Sequence, residues 1–485
     1  MLMNKGLEYK ILNEIEIEKI KDVSAKILEE IGFRINNNNT LKILKNAGLP
    51  VNFDTKIVKF PEEKLYEYIS YATRNSYHIL YGRNLNNKAE FGHWKTNIMS
   101  SSGQYMIYDW EIDDRRRPIM EDLISIAKVT KYLENIDIAG ALVLPMDVNP
   151  CTREIEQEIN LLNNTDKPIS FWFTNGKKTR YQVEIMKVIR DGQGAIKDYP
   201  FCECFVEPVS PLQFTKESME ILEVFAKDGL PIGFGPMAMQ GATAPVTIAG
   251  TIVQENAEVL AGIVISQVIN PGNPVTYWGI PHCMDLKTGN MSFASPEQSL
   301  LAMAMVQVAR SYGFYAVGVN EGLSDSNLLD DTQNGFERGI SLISGIYSKA
   351  DILAHQGICG QDSCGSILQL IIDNEMLFFL KRYFNFFDVN TDTIALDLIK
   401  KVGIGGNFLV EKHTIDHFKS EIYIPKIFSR DNWGIWYKKG KKSTKDIAIE
   451  RYNEIMKLEP VEPIEDEKMK EVKKILSAAK KEFSE

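Results

Sequence analysis

A chain of 485 residues, 44% of them hydrophobic and 25% charged, can bury a sizeable core, so disorder is excluded as its default state. Its 55 Lys and Arg stand against 65 Asp and Glu, and the net charge of −10 disfavours non-specific attraction to nucleic acid or an anionic membrane. A small molecule or a protein is the expected partner.

The opening MLMNKGLEYKILNEIEIEKI carries charges throughout and has no apolar core of signal-peptide length. A helix is expected from Glu14 to Ile31, followed by short mixed elements around the polar run Asn36 to Asn39, so that residues 1–95 form an arm or cap. From residue 97 onward, short β-rich runs alternate with longer segments of helical period. Strands are expected near Asn97 to Ser101, Ile136 to Leu144, Ile169 to Thr174, Phe201 to Val206, Ile232 to Phe234, Val275 to Trp278, Phe314 to Val317 and Ile352 to His355. Helices follow near Met120 to Leu133, Thr152 to Asn163, Arg180 to Arg190, Lys216 to Lys227, Pro245 to Ile269, Pro296 to Ser311, Gln333 to Ser348 and Gly365 to Phe384.

Eight strand-and-helix pairs over residues 96–387 predict an α/β protein of the (β/α)8 TIM barrel type. The competing open doubly wound sheet lacks its Gly-rich phosphate fingerprint here. Residues 388–485 read as a helical extension, with the Pro-bearing link LEPVEPIEDE before a charged helix from Lys468 to Phe483. Apolar stretches such as Ala257 to Val268 are interrupted before the roughly 20 residues that cross a bilayer. With no export signal, the six cysteines are expected to be reduced and the protein to be soluble and cytoplasmic.

In such a barrel the carboxyl ends of the strands face one mouth. They bring together Trp172 and Phe173 after the third strand, Glu207 after the fourth, Gln240 after the fifth and Tyr277 with Trp278 at the sixth. Asn320 and Glu321 follow the seventh, and His355 and Gln356 close the eighth. Aromatic faces and carboxylates together favour a cation that cannot donate hydrogen bonds, such as a quaternary ammonium. Any one ring is as readily explained by filling the interior; at least two are expected to line the pocket. His355 is open to three readings: a base, a donor to substrate, or a satisfied buried histidine.

Cys202 and Cys204 alternate with Glu203, so the thiols share one face of the fourth strand and Glu203 takes the other. His282, Cys283, Cys359 and Cys364 match no compact zinc spacing, and no metal ligand is assigned. The most informative stretch is GPMAMQGATAPVTIAGTIVQENAEVLAG, Gly235 to Gly262, a Gly-rich loop entering a long helix with Pro245 near its first turn. It reads either as a close backbone approach to a ligand at a helix amino terminus or as a tight strand-to-helix turn.

That segment, with its continuation NPGNPVTYW, resembles the corresponding loop and helix of the trimethylamine methyltransferase family, whose members pass methyl groups from methylamines to corrinoid proteins. The stretches SSGQYMIYDWEIDDRRRP, SDSNLLDDTQNGFERG and VGIGGNFLVEKHTIDHF are similar to the same family in the same order, so the resemblance spans nearly the whole chain. It implies a β/α barrel and a cobalamin carried on a separate partner protein. No segment here resembles the cobalamin-binding Asp-x-His-x-x-Gly motif, so the corrinoid domain is expected to be separate.

Founding members of the family carry pyrrolysine in the region matching SDSNLLDD, where this sequence has Asn327. The departure resembles the branch without pyrrolysine, whose characterised members demethylate glycine betaine and related betaines. Chemistry accommodates the loss: a quaternary nitrogen leaves as a neutral tertiary amine, so the protein has mainly to hold the donor in line and exclude water. On this reading Asn327, His355 and Glu207 are the catalytic candidates. Trp172, Phe173, Tyr277, Trp278, Gln240, Glu321 and Gln356 are substrate-binding candidates, and Gly235, Gly241 and Thr243 are candidates for cofactor contact. A homo-oligomer is expected. A non-catalytic binder of quaternary amines, and a barrel using a methylated pterin or a zinc-activated thiol, remain alternatives.

Overall fold

Short runs of Val, Ile, Phe and small residues pair side by side, and the segments of helical period between them cover the resulting sheet. The computed structural model describes residues 2–3, 9–74, 76–92 and 95–483. The strands are β1 (Lys95–Ser100), β2 (Ala139–Gly140), β3 (Ile169–Ser170), β4 (Cys204–Val206), β5 (Ile232–Phe234), β6 (Val275–Trp278), β7 (Val317–Val319) and β8 (Ile352–Gln356). The helices that follow them are α1 (Met120–Lys131), α2 (Arg153–Asn164), α3 (Gly176–Arg190), α4 (Lys216–Asp228), α5 (Ile248–Ile269), α6 (Pro296–Tyr312), α7 (Thr332–Tyr347) and α8 (Ile367–Phe384). Several strands differ from expectation: β3 keeps only Ile169–Ser170 of the run to Thr174, and β4 starts at Cys204 rather than Phe201. β2 keeps only two residues of the run from Ile136, because Leu142 turns into the left-handed region at φ 57° and bends the chain away. β7 starts at Val317 rather than Phe314.

The order β4–β5–β6–β7–β8–β1 is hydrogen-bonded throughout, every pair parallel. β2 and β3 pair parallel with each other. Met99 bridges Ile138 in parallel on one side of that pair, and on the other Ile169 N donates to Phe201 O at 3.0 Å. The fold is thus mixed α/β with a parallel sheet, and crossover helices bury its outer face.

Helix α5 shows how tightly that face is covered. Among the described residues it is the one helix long and apolar enough to cross a membrane, and it is packed within the protein. A Cβ at Gly262 would sit 2.4 Å from Phe234 Cδ1, so glycine lets α5 lie directly on β5. Its opposite side meets the amino-terminal helices Glu14–Lys26 and Glu62–Arg74, with Ser24 Oγ donating to Val253 O at 2.8 Å. Covered on both sides, α5 is apolar around most of its circumference.

The amino-terminal arm also contributes an antiparallel hairpin, His78–Tyr81 with Lys88–Phe91. It inserts Leu80, Ala89 and Phe91 against Ile138, Ala316 and Ile352, which sit at or before the amino ends of β2, β7 and β8. The hairpin therefore floors these amino ends and leaves the carboxyl ends to the strand-to-helix loops. At the other terminus, helix Thr444–Met456 packs on α8 and α1, and helix Asp466–Phe483 packs on α3.

Replacing Gly262 by valine forces α5 away from Phe234. The expected cost is about 1–3 kcal/mol, the range for overpacking, read as a lowered Tm. An unchanged Tm would show that α5 is not seated as described.

Candidate active site

The site is built first on β4. Cys202 and Cys204 turn toward the helices, where Cys202 Sγ lies 3.7 Å from Met186 Sδ. Glu203 and Phe205, the intervening residues, turn inward. Glu203 accepts from Trp278 Nε1 at 2.8 Å and from Thr276 Oγ1, both on β6, and His78 Nε2 of the hairpin lies 3.7 Å away. The Trp278 ring occupies a slot that its neighbours leave open. A Cβ at Gly233 on β5 would fall 2.6 Å from its Nε1, and one at Gly318 on β7 would fall 2.4 Å from its Cε3. Gly318 is the direct register partner of Trp278, and Gly233 that of Thr276.

Around this pair lies a cavity of about 160 Å³. That is below the roughly 300–1,000 Å³ of pockets for drug-sized ligands, and it suits a small solute. Three rings wall it in an edge-to-face row. Trp172 and Phe205 have centroids 6.1 Å apart at 77°, and Phe205 and Trp278 are 5.6 Å apart at 82°. Trp172 Nε1 donates to Gly103 O at 3.2 Å, which fixes its ring. Leu80 and Phe91 of the hairpin line the cavity as well.

The polar lining is acidic. Burial pushes the Glu207 carboxyl up to about 7. Burial likewise raises Asp362 to about 7, a hydrogen bond of 2.8 Å from Gln104 Nε2 opposes this, and the nearby Glu207 adds to it. His355 is lowered by burial to about 4, so its ring is neutral at pH 7. Its Nδ1 faces Asp362 Oδ1 at 3.7 Å, and its backbone takes the left-handed φ of 70°, a strained conformation of the kind that collects at working sites. Among the described residues lining the cavity there is no Lys or Arg. Aromatic faces, carboxylates and a neutral imidazole can hold a small cation; they offer no strong acid.

The sequence model of the trimethylamine methyltransferase family matches residues 1–484. The chain belongs to that family. It is 30% identical to the glycine betaine methyltransferase of Desulfitobacterium hafniense strain Y51, across 93% of this chain and 92% of that protein. It is 29% identical to the trimethylamine methyltransferase MttB of Methanosarcina barkeri, across 99% and 97%. The solved structure of the Methanosarcina barkeri monomethylamine methyltransferase MtmB is similar in fold, with a TM-score of 0.52 at 11% identity over 99% of this chain and 89% of that one. The hydroxylamine complex of MtmB gives 0.53 at 11% identity, over 98% and 90%.

For this methyltransferase family member, strand parity sorts the residues expected at the strand ends. Trp172, Trp278, Glu207, His355 and Asn320 line the cavity. Phe173, Tyr277, Glu321 and Gln356, the other residue expected at each of these strand ends, do not, as expected where successive side chains on a strand point to opposite faces. Phe173 packs on Phe225 of α4 at 4.9 Å. Tyr277 faces the helices, its hydroxyl donating to Asn256 Oδ1 at 2.9 Å and its ring 5.6 Å from Phe314. Glu321 accepts from Ser341 and from Ser299 at 3.3 Å, away from the cavity, and burial raises it to about 8. Gln356 donates to Glu321 O at 2.8 Å.

Loop residues needed correction for a different reason: their own turns consume their polar groups. Gln240 Nε2 donates to Val246 O at 2.7 Å, and Thr243 Oγ1 accepts from Met239 N at 2.8 Å. Gly241, at φ 85°, closes the same turn. Gly235 lies beneath Phe205 and Trp278, where a Cβ would meet both rings' side chains within 2.7 Å. Asn327 is exposed and accepts from Arg115 Nη2 at 2.6 Å, outside the cavity lining. Among the described residues, His282, Cys283, Cys359 and Cys364 form no three-ligand cluster. Cys283 Sγ instead donates to Gln240 Oε1 at 3.1 Å.

Glu203, Phe205 and Asp362 were not among the expected site residues. Parity alone would have found the first two, since both alternate with the outward thiols. Asp362 sits in a turn after β8 at φ 54°, and no local pattern announces it.

One buried network holds Gly322 and Gly357, in the loops that leave β7 and β8 just after Asn320 and His355. Arg338 Nη1 lies 3.2 Å from Asp373 Oδ1 and donates to Gly322 O at 2.7 Å, while Gly357 N donates to Asp373 Oδ2 at 2.7 Å. Both side chains are fully buried. Asp373→Asn strands the guanidinium, and a loss of about 3–5 kcal/mol is expected in chemical denaturation. A variant as stable as the parent would remove this network from the account.

Proposed function

We propose that the protein moves a methyl group from a quaternary amine, glycine betaine or a related betaine leading, to the Co(I) of a corrinoid carried by a separate partner protein. The observation that carries this reading is the row Trp172, Phe205 and Trp278 beside Glu203, Glu207 and Asp362 in one small cavity. The family assignment and the named activity of the Desulfitobacterium relative support the same chemistry. We read the parallel strands as a closed (β/α)8 barrel over residues 96–387, with an arm at 1–95 and an extension at 388–485. The bonds linking β1 to β2 and β3 to Phe201 support closure, and barrels of this class place their chemistry at the carboxyl strand ends.

The aromatic row holds the ammonium by its ring faces, and the carboxylates add Coulomb attraction. A corrinoid ring does not fit a cavity of about 160 Å³, so a corrinoid-bearing partner would meet the donor at the mouth formed by the strand-end loops. When docked, the corrinoid would supply the reduced cobalt nucleophile. The work of this chain is then to orient one N–CH3 bond toward the mouth and to keep water out. The amine leaves neutral, which agrees with a site whose imidazole is held unprotonated. A pterin is also too large for this cavity, and the thiols do not gather around it.

The protein is to be incubated with reduced corrinoid protein and a panel of quaternary amines while the cobalt spectrum is followed. Methylation by none of them would reject the proposal, and binding without transfer would favour the non-catalytic alternative. Trp172→Ala and Phe205→Ala are each expected to weaken binding by about 2 kcal/mol, the scale of a desolvated cation–π contact.

The two acids near 7 also set a pH test. A quaternary amine with an uncharged tail should bind more tightly from pH 6 to 8, as Glu207 and Asp362 ionise. A betaine should show the opposite trend, because its carboxylate finds no Lys or Arg in the lining and needs a protonated acid to bond to. Isothermal titration across that range separates the two donor types, and Glu207→Gln should flatten either slope. Affinities indifferent to pH would remove both acids from the site.

A further inference from the structure

We propose that Asp392, His413 and His417 form a divalent transition-metal site, fitted to zinc, that fastens the short helix Thr391–Ile394 to the helix Lys412–Glu421. His413 and His417 stand one turn apart on the helix Lys412–Glu421, so their rings share a face, with centroids 4.3 Å apart. Asp392 comes from the separate short helix Thr391–Ile394. His417 Nε2 lies 3.2 Å from its carboxylate, and His413 Nε2 lies 3.2 Å from its backbone carbonyl. The three donor atoms all lie within 4.8 Å of one another. An ion bound at about 2.0–2.2 Å in tetrahedral geometry sets its donors roughly 3.4 Å apart, so small side-chain rotations complete the site.

Two imidazoles and one carboxylate are a borderline set that selects zinc over the all-oxygen cations, with water in the fourth position. Among the described residues this is the one cluster with such a donor set, and its two histidines lie in the stretch VEKHTIDHF that the cavity does not use.

A second, independent feature asks for such a fastening. The helices Thr391–Ile394, Leu396–Val402, Lys412–Glu421 and Trp433–Lys438 contain no buried residue. Helices of this length are unstable without packing, and here Leu396, Ile399, Val410 and Ile415 stay exposed. A metal joining residue 392 to residues 413 and 417 closes the intervening loop and supplies folding energy that apolar burial does not.

The full chain, stripped with chelator and dialysed, is to be titrated with zinc chloride by calorimetry, with metal content checked by elemental analysis. One equivalent is expected to bind. Loss of even an outer partner of a metal ligand costs about tenfold in affinity, so His413→Gln and His417→Gln should each cost at least that. Both positions lie on a surface helix, and each variant's fold is checked by circular dichroism. Limited proteolysis between residues 388 and 424 should slow on adding zinc in the parent chain and not in the variants. A parent chain that binds no stoichiometric zinc, or variants that bind it equally well, would overturn the site. Equal cleavage with and without zinc would overturn the fastening role.

Discussion

An indole cannot stand within a parallel sheet unless the adjoining strands make room for it. Trp278 has that room because Gly233 and Gly318 carry no side chain where the ring lies. Its Nε1 then reaches across to Glu203, tying β6 to β4 over the intervening β5. Once this bond is in place, Phe205 falls edge-on between two tryptophans and the cavity acquires its aromatic wall. Thr276 Oγ1 donates to the same carboxyl, so Glu203 holds two groups of β6 at once. The aromatic wall therefore rests on a structural bond as much as on the rings themselves.

The acidic lining has few internal counter-charges. Glu207 and Asp362 are raised by burial rather than neutralised by a basic partner, and His355 is kept from charging. Among the described residues, the lining thus offers its acids no basic side chain as a partner. That agrees with a family whose named relatives act on trimethylamine and glycine betaine.

Much of the architecture was legible in the sequence because strands and helices announce themselves by period. The eight strand positions follow from runs of β-branched and aromatic residues, and the acidic, aromatic character of the strand ends followed with them. What period could not decide was which of two adjacent residues faces inward. The pairs Trp172 and Phe173, Tyr277 and Trp278, and His355 and Gln356 each contribute one residue to the cavity and one to the layer behind it. On β4 the thiols did reveal the parity, and Glu203 and Phe205 follow from it. Asp362 and the hairpin floor depend on contacts between distant segments, which leave no local trace. Asn327 follows from likeness to a family position, and its partner Arg115 belongs to a short strand, Asp114–Arg116, more than two hundred residues earlier.

The floor has its own consequence. Leu80 and Phe91 reach the cavity from a hairpin that precedes β1 to β8 in the chain, and neither residue belongs to the ladder those strands form. The depth of the cavity is thus set by one module and its walls by another. Trimming or enlarging a floor residue changes how long a molecule can stand in the cavity while the aromatic wall and its glycine slot stay as they are. Length selection and charge selection can then diverge independently among relatives, the first through the hairpin and the second through the strands.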